Sequence, residues 1–178
     1  MQFDRNKFRS LIHYVIWKTG GKEGFGTTKL YKVLWFADAR AFMLYKEPIT
    51  GETYVREKYG PMPRHAAGML NEMQGSGLIK IWNDRYFNKP IRRFESLQKP
   101  DRLSLTDEQR QIVEYWIAHI ADDHTAASVS EETHDYTWEI ATLGEELPYT
   151  AIFATRARDP EGAELEWAKS RAKELGLP

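Results

Sequence analysis

Leu30-Tyr31-Lys32-Val33-Leu34-Trp35-Phe36-Ala37-Asp38-Ala39-Arg40-Ala41-Phe42-Met43-Leu44-Tyr45 is the stretch on which the fold turns. Leu30, Leu34, Ala37, Ala41 and Leu44 recur at helical spacing and make one apolar stripe; Tyr31, Trp35, Asp38, Phe42 and Tyr45 make a second. A helix that is apolar on two sides is central and buried. It should run over about residues 28–46, with Thr27 or Thr28 capping its first orphan N–H groups and Pro48 stopping it. Asp38 falls among aromatic residues, where an ionised carboxylate must be given hydrogen-bond donors.

Upstream, Phe8, Leu11, Ile12, Val15 and Ile16 lie on one face of an earlier helix, which Gly20-Gly21 ends. Downstream, Ile49 to Val55 reads as a β segment, and Tyr59-Gly60-Pro61-Met62-Pro63 as a rigid turn, because the prolines fix φ and remove donors. A third helix is expected over about residues 64–74. A hairpin should pair residues 78–82 with 91–95 around Asn83-Asp84 and Asn88. Thr106-Asp107-Glu108-Gln109 is a capping box, opening a helix that buries Ile112, Val113, Trp116, Ile117 and Ile120. A short helix near residues 125–134, a Thr137-Trp138 anchor and a last helix over about residues 160–175 complete the reading. The pattern is α+β and mainly helical, with short β-hairpins.

At 178 residues, 42% of them hydrophobic, the chain is of single-domain size with material for a substantial core. The absence of Cys excludes disulfides, thiolate zinc sites and thiol nucleophiles. The first residues hold no apolar signal-peptide region, and no apolar run nears the roughly 18 residues of a membrane span, so a cytoplasmic protein is expected. Charge is strongly segregated. Residues 1–100 carry 18 Lys/Arg against 9 Asp/Glu, whereas residues 107–146 carry 11 acidic residues and one basic residue, Arg110. Such an acidic block is either a solvated face partly paired with the basic half or a surface for a basic protein partner.

The chemical motifs are thin. Gly21 and Gly26 have the spacing of G-x-x-x-x-G-K-S/T, but Thr27 replaces the Lys and a helix precedes the loop, so a phosphate loop is not expected. His119, Asp122, Asp123 and His124 form the best metal-like cluster, with His134 or Glu131 as a third contributor; surface polar residues are the preferred reading, and no metal or cofactor is expected. No G-x-S-x-G elbow is present, and catalysis is not expected. The basic residues Lys80, Arg85, Lys89, Arg92 and Arg93, interleaved with Trp82, Tyr86 and Phe87, follow a helix and suggest a winged-helix-like segment that could contact nucleic acid. Against that, the preceding helix offers only Arg64 and His65 as base-reading donors.

Three linked motifs carry a resemblance: Leu30 to Asp38 ending in Phe36-Ala37-Asp38, then Pro48-Ile49-Thr50-Gly51-Glu52-Thr53-Tyr54, then Tyr59-Gly60-Pro61-Met62-Pro63. Together they resemble the Panacea domain of SocA-like antitoxins and phage-associated proteins, whose pattern is K-L-x-Y-F-A-D/H, P-I-T/S-G-x-x-Y and Y-G-P-x-P. Trp35 stands where Tyr is more usual. The later Leu105-Thr106-Asp107-Glu108, Ser130-Glu131-Glu132-Thr133-His134 and Trp138 are also similar. The resemblance implies an antitoxin, not an enzyme, that neutralises a protein toxin encoded beside it by direct stoichiometric binding; some relatives deliver a bound protein to a protease. It places a Panacea-like domain over residues 1–145, with residues 146–178 as a helical extension packed on it. Asp38, Tyr54 and Tyr59 are expected to form a hydrogen-bonded cluster, either shaping a groove or serving as a purely structural network, and Tyr54, Arg56, Tyr59 and Trp82 are the expected partner anchors, since such anchors are rich in Tyr, Trp and Arg. A nucleic-acid-binding regulator is the alternative.

Overall fold

The computed structural model describes residues 2–100, 105–122, 124–134 and 136–153, together with 162, 166, 169–171 and 173. Helix α1 (Arg5–Thr19) is capped by Asp4, whose carboxylate accepts from the Lys7 N–H. Helix α2 (Thr27–Tyr45) is the axis of the molecule: eleven of its residues are buried, including Trp35, Phe36 and Asp38. Its start differs from expectation. Gly26, not a threonine, is the N-cap and contributes no side-chain bond. The reason is crowding, because a Cβ on Gly26 would lie 2.6 Å from Ile91 Cγ1. Its end follows the left-handed scheme, with Lys46 at φ 62 donating to Phe42 O two residues ahead of Pro48.

Strands β1 (Tyr54–Glu57) and β2 (Gly60–Pro63) form a hairpin, so the proline-rich segment is a strand rather than only a turn. Arg64 N–H bonds Thr53 O, and the register then pairs Pro63 with Tyr54 and Pro61 with Arg56. Both prolines thus occupy positions whose nitrogens face away from β1. β2 is an edge strand, so their missing donors cost the ladder nothing. Strand β5 (Glu146–Leu147) closes the other side of β1, giving the order β2-β1-β5. Leu147, and Tyr149 in the 3-10 turn Tyr149–Phe153, are buried in the same core as α2.

Helix α3 (Ala66–Gly75) leads into a two-stranded ribbon, β3 (Ile79–Tyr86) and β4 (Lys89–Ser96), longer at its tip than the expected hairpin. Phe87 and Asn88, at φ 46 and 60, make the primed two-residue turn that suits strand twist. The helix-then-ribbon order of a winged helix is present. Between α2 and α3, however, lie a loop and the β1–β2 hairpin instead of the three- to four-residue turn of a helix-turn-helix.

Helix α4 (Asp107–Asp122) opens with the expected box, Thr106 and Gln109 exchanging side-chain to backbone bonds. It buries Ile112, Val113, Ile117 and Ile120, while Trp116 is half-buried and stacks on Phe36 of α2, ring centroids 4.3 Å apart. Buried Lys29 donates to Ala121 O, placing a cation at the α4 C-terminus. Helices α5 (Ala126–Glu132) and α6 (Tyr136–Ile140) follow. The helix expected over residues 160–175 falls largely outside the described residues. No helix among them is long and apolar enough to cross a membrane.

Candidate functional site

Asp38 is fully buried on the α2 face that meets the β1 sheet. It receives three donors: the Thr50 N–H at 2.8 Å, the Thr50 hydroxyl at 2.6 Å and the Tyr54 hydroxyl at 2.8 Å. Burial raises its carboxyl to about 6, and the Thr50 and Tyr54 bonds hold it below where burial alone would put it. Trp35 lies edge-on to Tyr54 at 5.0 Å and stacks on Tyr149 at 6.1 Å. The expected Asp38–Tyr54 bond is therefore present. Tyr59 takes no part in it, because it occupies the β1–β2 turn and is 60% exposed. Asp38 and Tyr54 are themselves sealed from solvent, which corrects the reading of Tyr54 as a surface anchor. Each holds the loop and strand against α2.

A second buried carboxylate, Glu52, accepts from the Thr53 N–H at 2.6 Å and bonds His65 Nδ1 at 2.9 Å. Burial raises its pKa, opposed by His65. Phe3 stacks on His65 at 4.5 Å, and the Tyr149 hydroxyl donates to Glu52 O. Thr50, Glu52, His65 and Tyr149 carry the network yet were not anticipated. The Thr in Pro48-Ile49-Thr50-Gly51 is the one local signal, as a hydroxyl in a turn is a ready donor to a nearby acid.

Lys32 is also buried, and desolvation alone lowers its pKa to about 7. Its Nζ lies against the backbone of Gly60 at the start of β2. A Cβ there would come within 2.1 Å of Nζ and 2.3 Å of Thr133 Oγ1, and φ is +98°. Gly60 is thus required twice, for its backbone angle and for the space that α2 and the end of α5 occupy.

The outer side of this sheet is tied to α6. Arg56 Nε–H donates to Trp138 O at 3.0 Å, its guanidinium lies 4.3 Å from the Trp138 ring centroid, and Trp138 Nε1–H donates to Glu57 O. His134 stacks on Trp138 at 3.6 Å. Gly144 and Glu145 bond both backbone groups of Arg56. Around these segments Tyr59, Ile140 and Leu143 are exposed.

The family model described as antitoxin SocA-like, Panacea domain, matches residues 30–139, well over half of the chain and the whole of the three-motif region. The chain belongs to this family. It is not a known enzyme family. Compared with curated proteins and with solved structures, the chain shows no significant match.

Elsewhere in this Panacea-domain protein, the ribbon divides the basic residues that sequence order lumps together. The register puts Lys80, Trp82, Tyr86, Lys89 and Arg93 on one face with Asp84 and Glu95, and Arg85 and Arg92 on the other. Part of the first face is already engaged: Arg93 pairs with Asp84 and donates to Gly21 O, and Tyr86 abuts Gly24. Trp82 is half-buried, 5.6 Å below both Lys80 Nζ and the Arg93 guanidinium, and belongs to a different sheet from Arg56 and Tyr59. The glycines of the 20–26 loop therefore allow close packing on the ribbon.

The acidic block is partly paired with the basic half through Lys18–Glu114, Lys22–Asp122 and Arg64–Glu146, all exposed pairs worth at most about 1 kcal/mol each. Of the metal-like cluster, His119 and His124 meet, Asp122 is turned to Lys22, Glu131 is exposed, and Asp123 lies outside the described residues. A groove of about 370 Å³ between α1 and the start of α4, lined by Tyr14, Trp17, Lys18, Arg110 and Glu114, includes no residue of the three linked motifs.

Proposed function

We propose that this protein is an antitoxin that neutralises a cognate protein toxin, encoded by an adjacent gene, through direct stoichiometric binding. The observation that carries the reading is the match to SocA-like antitoxins over residues 30–139. The physical arrangement supports a binding role. The polar motif residues are consumed internally by the Asp38 and Glu52 networks, leaving a braced hairpin on which half-buried Arg56 and exposed Tyr59 stand beside the exposed Ile140 and Leu143. A braced surface binds with little ordering cost, and Tyr and Arg are the side chains that most often anchor an interface.

The test is co-expression and co-purification with the product of the adjacent gene at physiological salt. A one-to-one complex, with growth arrest by the partner alone relieved by this chain, is the expected result. A neighbour that is harmless alone, or that fails to co-purify, would overturn the reading.

A further inference from the structure

We propose that His119, His124 and Glu132 form a binding site for a divalent transition-metal ion of the zinc class. His119 is in the last turn of α4, His124 is in the connection to α5, and Glu132 is the last residue of α5. The three side chains converge. His119 Nε2 and His124 Nε2 are 3.2 Å apart, His119 Nε2 is 3.5 Å from Glu132 Oε1, and His124 Nε2 is 3.6 Å from Glu132 Oε2. Zinc bonds to imidazole and carboxylate of about 2.0–2.2 Å set the edges of a tetrahedron at about 3.3–3.6 Å, so the triangle has the size such an ion requires. Three protein donors leave a further position for water or another ligand.

The surroundings orient the ligands. Ser128 Oγ accepts from the Thr125 N–H and lies 3.2 Å from Thr125 O, to which it donates its own proton. His124 Nδ1 lies 3.1 Å from the same Oγ, and a proton on Nδ1 there leaves the Nε2 lone pair facing the triangle. The His119 ring is stacked parallel to Tyr115 and meets Trp116 edge-on at 5.5 Å, which fixes its plane. Two imidazoles with one carboxylate suit zinc and its neighbours in the first transition row, whereas magnesium and calcium take oxygen donors. All three side chains are about one-fifth to one-third exposed, so an ion enters from solvent without opening the fold. The competing account of the same contacts is a proton shared by the two rings and balanced by Glu132, which needs no metal.

The two accounts separate cleanly by titrating Zn(II) into the full chain, prepared without a polyhistidine tag and treated with chelator, and by substituting Co(II) for spectroscopy. Binding of one equivalent, a rise in melting temperature with added zinc, and intense four-coordinate Co(II) bands are expected. His119→Ala and His124→Ala should weaken binding by more than about 10-fold, and Ser128→Ala by about 10-fold through loss of ring orientation. Glu132→Gln, at an exposed helix end where folding is not at stake, should also weaken binding by about 10-fold or more. No zinc binding at about 100 μM, or binding equally tight in Glu132→Gln and both histidine variants, would overturn the site.

Discussion

The two small sheets differ in what their polar residues do. Around the β2-β1-β5 sheet, polar side chains of α2 and of the loop before β1 point inward: Asp38, Lys32, Thr50 and Glu52 are buried, and each acid is held by named donors. In the β3–β4 ribbon they point outward, and the charged residues distribute over two faces with only Ile79 and Phe94 buried. The sheet that carries the family motifs is therefore a structural joint, in which a polar network fixes α2, a loop and two strands against one another. The ribbon is largely a surface element.

Removing the acid at the centre of that joint should have the largest effect. Asp38→Ala strands the Thr50 and Tyr54 donors and is expected to cost about 3–5 kcal/mol, read as a lowered urea midpoint. Arg85→Ala on the ribbon should stay within about 0.5 kcal/mol. Equal losses would erase the contrast between the sheets. Gly60→Ala should follow at about 2–4 kcal/mol, since a methyl there meets Lys32 and Thr133 at a left-handed φ.

The buried ions give the comparison a pH signature. Lys32 titrates near 7 when folded and near 10.5 when unfolded, so the unfolded chain holds more protons between those values and stability rises with pH across that window. Asp38 titrates near 6 folded against 3.8 unfolded, so the folded chain holds more protons there and stability falls as pH rises from about 4 to 6. Together the two groups produce a trough between about pH 6 and 7. Lys32→Met should fill its alkaline side and raise neutral-pH stability by on the order of 2–4 kcal/mol. Chemical denaturation at stepped pH checks this, and an unchanged profile in Lys32→Met would remove the lysine from the account. No ribbon charge should move the trough between about pH 6 and 7.

Smaller effects concern binding. Tyr59→Ala should leave stability within about 0.5 kcal/mol while weakening toxin binding by about 2 kcal/mol, measured calorimetrically. Trp82→Ala, on the other sheet, sharpens that test: a larger loss there would move the contact surface to the ribbon. Smallest is the acidic block. If those acids steer a basic partner, screening should slow association severalfold between low and physiological salt, whereas a flat on-rate would confine those acids to solvation and the three pairs described.

Much of this architecture was legible because it is periodic. The two stripes of α2, the α4 capping box and the ribbon strands follow from spacing alone. What escaped depends on which segments meet. Nothing local says that Thr50 faces Asp38, or that Glu132 rather than His134 joins the two histidines, since His134 is drawn away to stack on Trp138. The alternate prolines at 61 and 63 did carry the pattern of an edge strand, but the stiffness of proline favours a turn when read without a partner. Counting basic residues in a window discarded the strand alternation that sends Arg85 and Arg92 to the opposite face from Lys80, Lys89 and Arg93.

Strand β5 has a consequence for the order in which the protein is made. Tyr54 pairs with Leu147, so the free edge of β1 waits for more than ninety further residues to be synthesised. Until they emerge from the ribosome, β1 and β2 are a lone hairpin, which is marginal in water, and Trp35 and Tyr54 lack their Tyr149 neighbour. A nascent chain that has completed every family motif still displays an open strand edge beside a bare aromatic cluster, the surface that chaperones capture and that aggregates at high concentration. Emergence of β5, rather than completion of the motifs, is what closes the β1 edge.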